Sequence, residues 1–120
     1  MGPIFDMREF SAMNRKRCEA PKGFHTKLDA WSLSDWMTAT CGELGEAANV
    51  VKKLNRSRDR IPGNDRPDFA LRELLADELA DTFIYLDLLA QAAGIDLATA
   101  VTHKWRRTSQ KIGYLIEVAP

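Results

Sequence analysis

Four carboxylates occur in two pairs that share the same three-residue spacing. Glu43 and Glu46 form the first pair, and Glu78 and Asp81 form the second. Residues three apart lie on one face of an α-helix, so two antiparallel helices would bring all four carboxylates together. Clustered like charges repel each other unless cations lie between them. Because oxygen ligands suit a hard divalent ion, the pattern predicts a site for Mg²⁺, or for Mn²⁺ as a substitute.

The sequence around the pairs favours this metal site over two ordinary solvated helix faces. A single E-x-x-E or E-x-x-D pair is common on any acidic helix. Here both pairs lie in apolar sequence beside small residues that permit close helix packing: Gly42, Gly45, Ala47 and Ala80. The members of the second pair are not fixed by spacing alone, since Glu73, Asp77 and Asp81 also lie on one helix face at four-residue spacing. Periodicity alone does not choose between Asp77 and Glu78.

Two long helices are predicted to carry these pairs. Residues 71–93 contain no Pro or Gly and are apolar on nearly every side, which predicts a helix buried by its neighbours. Its acidic residues, Asp87 among them, then need a positive partner, either basic side chains or metal ions. Residues 41–54 show the second helical pattern, and Ser34 is the predicted N-cap of this helix. Residues 55–68 are predicted to form a loop. One antiparallel pair cannot cover all these apolar faces, which predicts a homo-oligomer.

Shorter helices are predicted on both sides of this pair. The first covers about residues 4–17 with Asp6 as its N-cap, and the fourth covers about 97–111 with Asp96 as its N-cap. The fourth helix is expected to turn three apolar residues toward the core: Ala98, Val101 and Trp105. The one strand candidate is the segment YLIEV near the C-terminus. The sequence therefore predicts a single all-α domain over residues 1–120, a bundle of four to five helices.

Basic and aromatic side chains supply further candidates for binding a nucleotide. Three lysines are candidate phosphate ligands, with a solvated helix face as the alternative: Lys52, Lys104 and Lys111. Trp31, Trp36 and Tyr85 are candidates for stacking on a nucleobase, with core packing as the alternative, which is favoured for Trp36. Tyr85 lies one turn beyond Asp81 on the same helix face. His25 belongs to the same predicted loop as Trp31 and is a candidate for a hydrogen bond to the base.

Composition excludes several other classes of protein. The formal net charge is zero, whereas proteins that bind nucleic acid polymers are usually strongly basic. The two cysteines form no C-x-x-C pair, which indicates reduced thiols rather than a disulfide. The first residues lack the pattern of a secretory signal, and no apolar run has the length of a membrane span. These features predict a cytoplasmic protein that binds neither membrane nor nucleic acid polymer.

The segments GELGEAANVVKKL and DELADTFIYLDLLA resemble the MazG-like nucleotide pyrophosphohydrolases of the all-α NTP pyrophosphatase superfamily. The hallmark of this family is E-x-x-E, a spacer and E-x-x-D, which is matched here by Glu43, Glu46, Glu78 and Asp81. The resemblance therefore selects Glu78 over Asp77. A later segment, KWRRTSQKIGY, is similar to the K-F-N-x-T-S-x-K-x-G segment of small phage- and integron-type members, with Arg106 in place of the family's Asn.

The resemblance implies a bundle that dimerisation completes and a magnesium-dependent reaction. A nucleoside triphosphate would be cleaved between the α- and β-phosphates, giving a monophosphate and pyrophosphate, in a role such as cleansing of the nucleotide pool. The protein would be a dimer or a dimer of dimers. The four hallmark carboxylates would hold the metal, and Glu46 would also orient or deprotonate the attacking water. Two alternatives stay open: a dUTPase-like diphosphatase, and a non-catalytic helical regulator that binds nucleotide or a partner.

Overall fold

The structure is a computed structural model that describes residues 5–114, and in this range it contains four α-helices and no strand. The helices are α1 (Met7–Glu19), α2 (Leu33–Asp59), α3 (Asp68–Ala92) and α4 (Leu97–Lys111), with a short 3-10 turn at Leu28–Ala30. The all-α prediction is confirmed. Four of the five residues of the strand candidate YLIEV, 115–118, lie outside the described residues.

The two long helices α2 and α3 pack along each other as an antiparallel pair, because only residues 60–67 connect them. This pair is called the hairpin below. The N-cap of α2 is Ser32, two residues before the predicted cap Ser34. Ser32 Oγ accepts a hydrogen bond from the Asp35 backbone N–H at 3.2 Å, and Asp35 Oδ2 accepts one from the Ser32 N–H at 2.9 Å. The helix also continues into the predicted loop, since no Pro or Gly interrupts it before Arg60, whose left-handed φ of 57° ends it.

A small apolar core joins α1, the 3-10 turn, α2 and α3. Its buried members are Cys18, Leu28, Trp36 and Leu88. Trp36 is only 1% exposed, and its Nε1–H donates to the Leu28 carbonyl at 3.0 Å. The polar edge of this tryptophan therefore fixes the segment between α1 and α2 against the hairpin.

Asp87 is a buried carboxylate that holds α1 against α3. It is 1% exposed, and three neutral groups donate to it: Ser11 Oγ at 2.6 Å, Asn14 Nδ2 at 2.9 Å and Gln91 Nε2 at 2.9 Å. The expectation of a positive partner is wrong at this residue. Hydrogen bonds from neutral donors take the place of water around the charge.

Helix α4 leans away from the hairpin. Its predicted N-cap is correct, since Asp96 Oδ1 accepts from the Thr99 N–H at 3.2 Å. Yet Val101 and Trp105 are 57% and 53% exposed, so the expectation that they face the core is wrong within one chain. The cause is the connection after α3, where Gly94 has a φ of 71° and the axes of α3 and α4 meet at 99°.

The chain is more open than a compact domain of its size. Its radius of gyration is 17.9 Å, against about 13 Å for a compact chain. Its accessible surface is 9337 Å², against roughly 6,500 Å² for a folded monomer of this mass. Much of the surplus is apolar side chain on the three longest helices, including Leu44, Val51, Leu79, Val101 and Trp105.

Within residues 5–114, no single helix is both long and apolar enough to cross a membrane. Helices α3 and α4 reach that length and composition only when they are counted together across their bend.

Candidate metal and nucleotide site

Three predicted carboxylates converge where α2 packs on α3. Glu43, Glu46 and Glu78 each place a carboxylate oxygen so that the three atoms lie within 4.8 Å of one another. Glu43 and Glu78 are partly buried, whereas Glu46 is exposed. Glu78 Oε2 is sealed from solvent and has no hydrogen-bond partner in the described part of the chain. A buried oxygen of this kind is costly unless something positive binds it.

Acidic neighbours act electrostatically on the carboxyl groups of Glu43 and Glu78. Partial burial raises the pKa of Glu43, and the charges of Glu46 and Asp81 raise it further. Burial also raises the pKa of Glu78, followed by the effects of Glu46, Glu43 and Asp81. The cluster therefore favours extra positive charge, either a proton or a cation.

Residues 5–114 supply no ion-pair partner to this cluster. Across residues 5–114 the ion pairs are Arg8–Asp96, Arg15–Glu19 and Arg58–Asp59, none of which includes the converging carboxylates. A set of oxygen ligands with one unpartnered buried atom fits a hard divalent ion such as Mg²⁺ or Mn²⁺. In that case Glu43, Glu46 and Glu78 would be its ligands.

Asp81 lies beside this group rather than within it. It is exposed, but its charge raises the pKa of Glu43, Glu78 and Tyr85. It also lines the neighbouring cavity. Asp77, the alternative to Glu78 in the sequence, is exposed and does not belong to the converging set. The fourth hallmark carboxylate thus stands between the acidic cluster and the cavity.

The cavity beside Asp81 has a volume of about 260 Å³ and is lined largely by aromatic and apolar side chains. Trp31 and Trp36 lie with their ring centroids 4.5 Å apart, and Trp36 and Tyr85 lie 6.5 Å apart. Burial raises the pKa of Tyr85, and the charges of Glu43 and Asp81 add to the effect. Such a cavity offers flat π faces at one side of a charged cluster, which suits a planar aromatic ligand.

Two of the three residues predicted to contact a base line this cavity, namely Trp31 and Tyr85. His25 does not line it, although its neighbours Phe24 and Thr26 do. The His25 backbone has a left-handed φ of 50°, and the residue is exposed. Its place is therefore at the surface of the loop.

Several lining residues were not singled out from the sequence as ligand contacts: Asn14, Arg17, Cys18, Phe24, Thr26, Ile84 and Leu88. Most of them are ordinary helix or core residues in sequence terms. Asn14 belongs to the polar end of the first predicted helix and carries no local signal that it faces inward. A wider concavity of about 740 Å³ shares Trp31 with this cavity but contains none of the four carboxylates, so it is not the candidate site.

The three lysines predicted to bind phosphate do not gather at the carboxylates within one chain. Lys52 lines a groove of about 430 Å³ between α2 and α3, with Leu44, Leu75 and Leu79 among its neighbours. It lies six residues beyond Glu46, which is ~9 Å along the helix axis. Lys104 and Lys111 are exposed on α4, the helix that leans away from the hairpin.

Comparison with protein-family models gives no match for this chain, and neither the curated proteins nor the solved structures contain a significant match.

Proposed function

We propose that this chain is a magnesium-dependent nucleoside triphosphate pyrophosphohydrolase of the MazG-like type. It would cleave a (deoxy)nucleoside triphosphate between the α- and β-phosphates, giving a monophosphate and pyrophosphate. The observation that carries the proposal is the convergence of Glu43, Glu46 and Glu78 around a buried Glu78 oxygen without a partner. A scaffold has no use for such a cluster, because buried uncompensated charge destabilises it.

Each carboxylate has a role that follows from its exposure. Glu43 and Glu78 are partly buried and would hold Mg²⁺ together with Glu46 and Asp81. When bound, the ion would neutralise triphosphate charge and polarise the reacting phosphate. Glu46 is the exposed member of the converging set, so we assign it to orienting the attacking water and accepting its proton.

The cavity would hold the base while the phosphates extend to the carboxylates. Trp31, Trp36 and Tyr85 supply aromatic faces for stacking, and Asp81 marks the end of the cavity nearest the metal. Lys52, Lys104 and Lys111 remain the proposed phosphate ligands. Because α4 leans away from the hairpin, we assign Lys104 and Lys111 to phosphates of a site that a second copy of the chain completes.

Incubation with each triphosphate and Mg²⁺, followed by identification of the products, tests the reaction. Pyrophosphate and a monophosphate are expected, and EDTA should abolish their formation because the carboxylates repel the triphosphate when no metal ion lies between them. Orthophosphate as the initial product would contradict the cleavage position. Activity confined to uracil nucleotides would favour the dUTPase-like alternative. Binding without turnover would favour the non-catalytic regulator.

We infer that two copies of the chain associate through the apolar faces of α2, α3 and α4. The surface exceeds that of a compact monomer by roughly 2,800 Å². Obligate homodimers bury about 1,000 Å² or more on each chain, so the surplus is sufficient for one. The exposed groove lined by Leu44 and Leu79 is one of the apolar faces that association would cover.

Light scattering is expected to give at least twice the 13.5 kDa mass of the chain. Trp105→Glu should shift the protein toward the monomer, because it puts a charge into a side chain that is 53% exposed in one chain and covered in the assembly. His103→Gln, an exposed neighbour, is the matched control and should keep the wild-type mass. A stable wild-type monomer at micromolar concentration would contradict the association.

A further inference from the structure

The Asn14 side-chain amide is held in one orientation at the cavity wall. Asn14 is 4% exposed, and its Nδ2 donates to the Ile84 carbonyl at 3.1 Å and to Asp87 Oδ2 at 2.9 Å. Both partners can only accept, so the amide cannot be reversed. Oδ1 therefore points away from them, and no donor within residues 5–114 bonds to it. It is not sealed off, since the sealed and unpartnered side-chain atom in that range is Glu78 Oε2.

The other buried groups around the cavity have already used their donors. Trp36 Nε1–H donates to the Leu28 carbonyl at 3.0 Å. The Cys18 thiol donates to the Thr26 carbonyl at 3.2 Å. Leu88 has no polar side-chain atom. The fully buried lining residues thus present aromatic faces, aliphatic surface and the single free acceptor Asn14 Oδ1, and they have no donor to spare. The remaining side-chain donors at the cavity belong to the partly buried Tyr85 and the exposed Arg17 and Trp31.

Asn14 is also far enough from the acidic end to meet the outer edge of a base. It bonds to Ile84 and Asp87, which follow Asp81 by three and six residues, and six residues span ~9 Å along α3. If the phosphates lie at the carboxylates, the sugar separates them from the base. The group that reaches deepest is then the exocyclic substituent, an amino donor on cytosine and adenine but a carbonyl acceptor on uracil, thymine and guanine.

We propose that Asn14 determines base specificity and selects nucleotides with an exocyclic amino group, cytosine or adenine, over those with a carbonyl at the same position. This inference rests on the proposed function for the location of the phosphates. A carbonyl opposite Asn14 Oδ1 sets two acceptors against each other and leaves both unpaired in a buried place. Asp87 acts through Asn14 as a positioning residue, which gives this buried carboxylate a use beyond fixing α1.

Matched nucleotide pairs test the inference on the wild-type protein. The kcat/KM for dCTP should exceed that for dUTP by about 10- to 100-fold, and ATP should exceed ITP similarly. Binding of dCMP and dUMP, followed through the fluorescence of Trp31 and Trp36, should show the same order without turnover. Tighter binding of dCMP than of dUMP without any hydrolysis of triphosphates would contradict the proposed reaction but support the base selection. Hydrolysis with equal or reversed preference would overturn the base selection alone.

Variants separate specificity from structural support. Asn14→Ser withdraws the acceptor but leaves the bonds from Ser11 and Gln91 to Asp87, so the dCTP/dUTP ratio should fall toward one. Asp87→Ala should lower the ratio as well, because the amide loses an anchor. Asp87→Asn should restore it, since the Ser11 hydroxyl can reverse its bond. Met13→Ala, at an exposed site on the same helix, should keep the wild-type ratio. An unchanged ratio in folded Asn14→Ser would overturn the assignment.

Discussion

Glu78→Gln is expected to lower the rate of triphosphate hydrolysis by roughly 100-fold or more, since loss of even an outer-shell partner of a metal ligand costs 10–100-fold. The amide keeps the shape of the side chain but offers a neutral oxygen in place of a buried carboxylate oxygen that has no partner. Circular dichroism should show the wild-type helical content, because no hydrogen bond to the Glu78 carboxylate is lost within the described residues. Initial rates of pyrophosphate release at saturating Mg²⁺ measure the effect.

Glu73→Gln is the matched control for this variant. Glu73 is an exposed acidic residue on the same helix and does not belong to the converging carboxylates. It should retain a wild-type rate. If Glu78→Gln were as active as Glu73→Gln, Glu78 would have to be removed from the proposed site.

Glu78→Gln should also be more stable than the wild type when no divalent cation is present. The folded protein raises the pKa of Glu43 and Glu78, mainly through burial. From the ordinary value of 4.5 up to the raised values, the folded state then binds more protons than the unfolded state. The free energy of unfolding must therefore fall as the pH rises through this window. Thermal unfolding in EDTA at several pH values should show this fall in the wild type and in Glu73→Gln, and a weaker fall in Glu78→Gln.

Trp31→Ala is expected to raise KM about tenfold or more, because stacking on an aromatic side chain contributes ~1–3 kcal/mol per base. Trp31 lines the cavity and lies 4.5 Å from Trp36 between ring centroids. It is 39% exposed, so its removal leaves the core largely intact. The dependence on Mg²⁺ should not change, since Trp31 is not part of the acidic cluster. Steady-state kinetics with several triphosphates give the measurement.

Two further variants serve as controls for Trp31→Ala. Trp31→Phe keeps an aromatic face and should recover most of the affinity. Leu33→Ala removes an exposed apolar side chain two residues away that does not line the cavity, so its KM should be that of the wild type. A wild-type KM for Trp31→Ala across all bases would exclude stacking on this residue.

Local signals predicted two of the N-caps and the full extent of α4. Asp6 and Asp96 are N-caps in the structure as expected, because a cap depends on a side chain and the backbone three residues further on. The start of α2 was missed although Ser32 and Asp35 form a capping box that the sequence displays. The end of α2 was missed because residues 55–59, rich in charge, look like a loop but contain no residue that breaks a helix.

The site was predictable only where its geometry follows from one helix. The three-residue spacing of Glu43 and Glu46 determines that they share a face, whatever packs against it. The inward direction of Asn14 and the neutral partners of Asp87 depend on how α1 lies on α3, which no local pattern encodes. The apolar face of α4 shows the same limit. Periodicity identifies Val101 and Trp105 as residues to be covered but does not say which chain covers them.

The hairpin of α2 and α3 also has a consequence for how the chain folds. Its contacts nearest the turn at 60–67 join residues close in sequence, and contacts of this kind form quickly because little loop-closure entropy opposes them. The hairpin should therefore be the first unit to form after dilution from denaturant. Helix α4 has few contacts in its own chain, so if two chains associate as proposed, its consolidation would follow second-order kinetics. The unfolding midpoint would then rise with protein concentration.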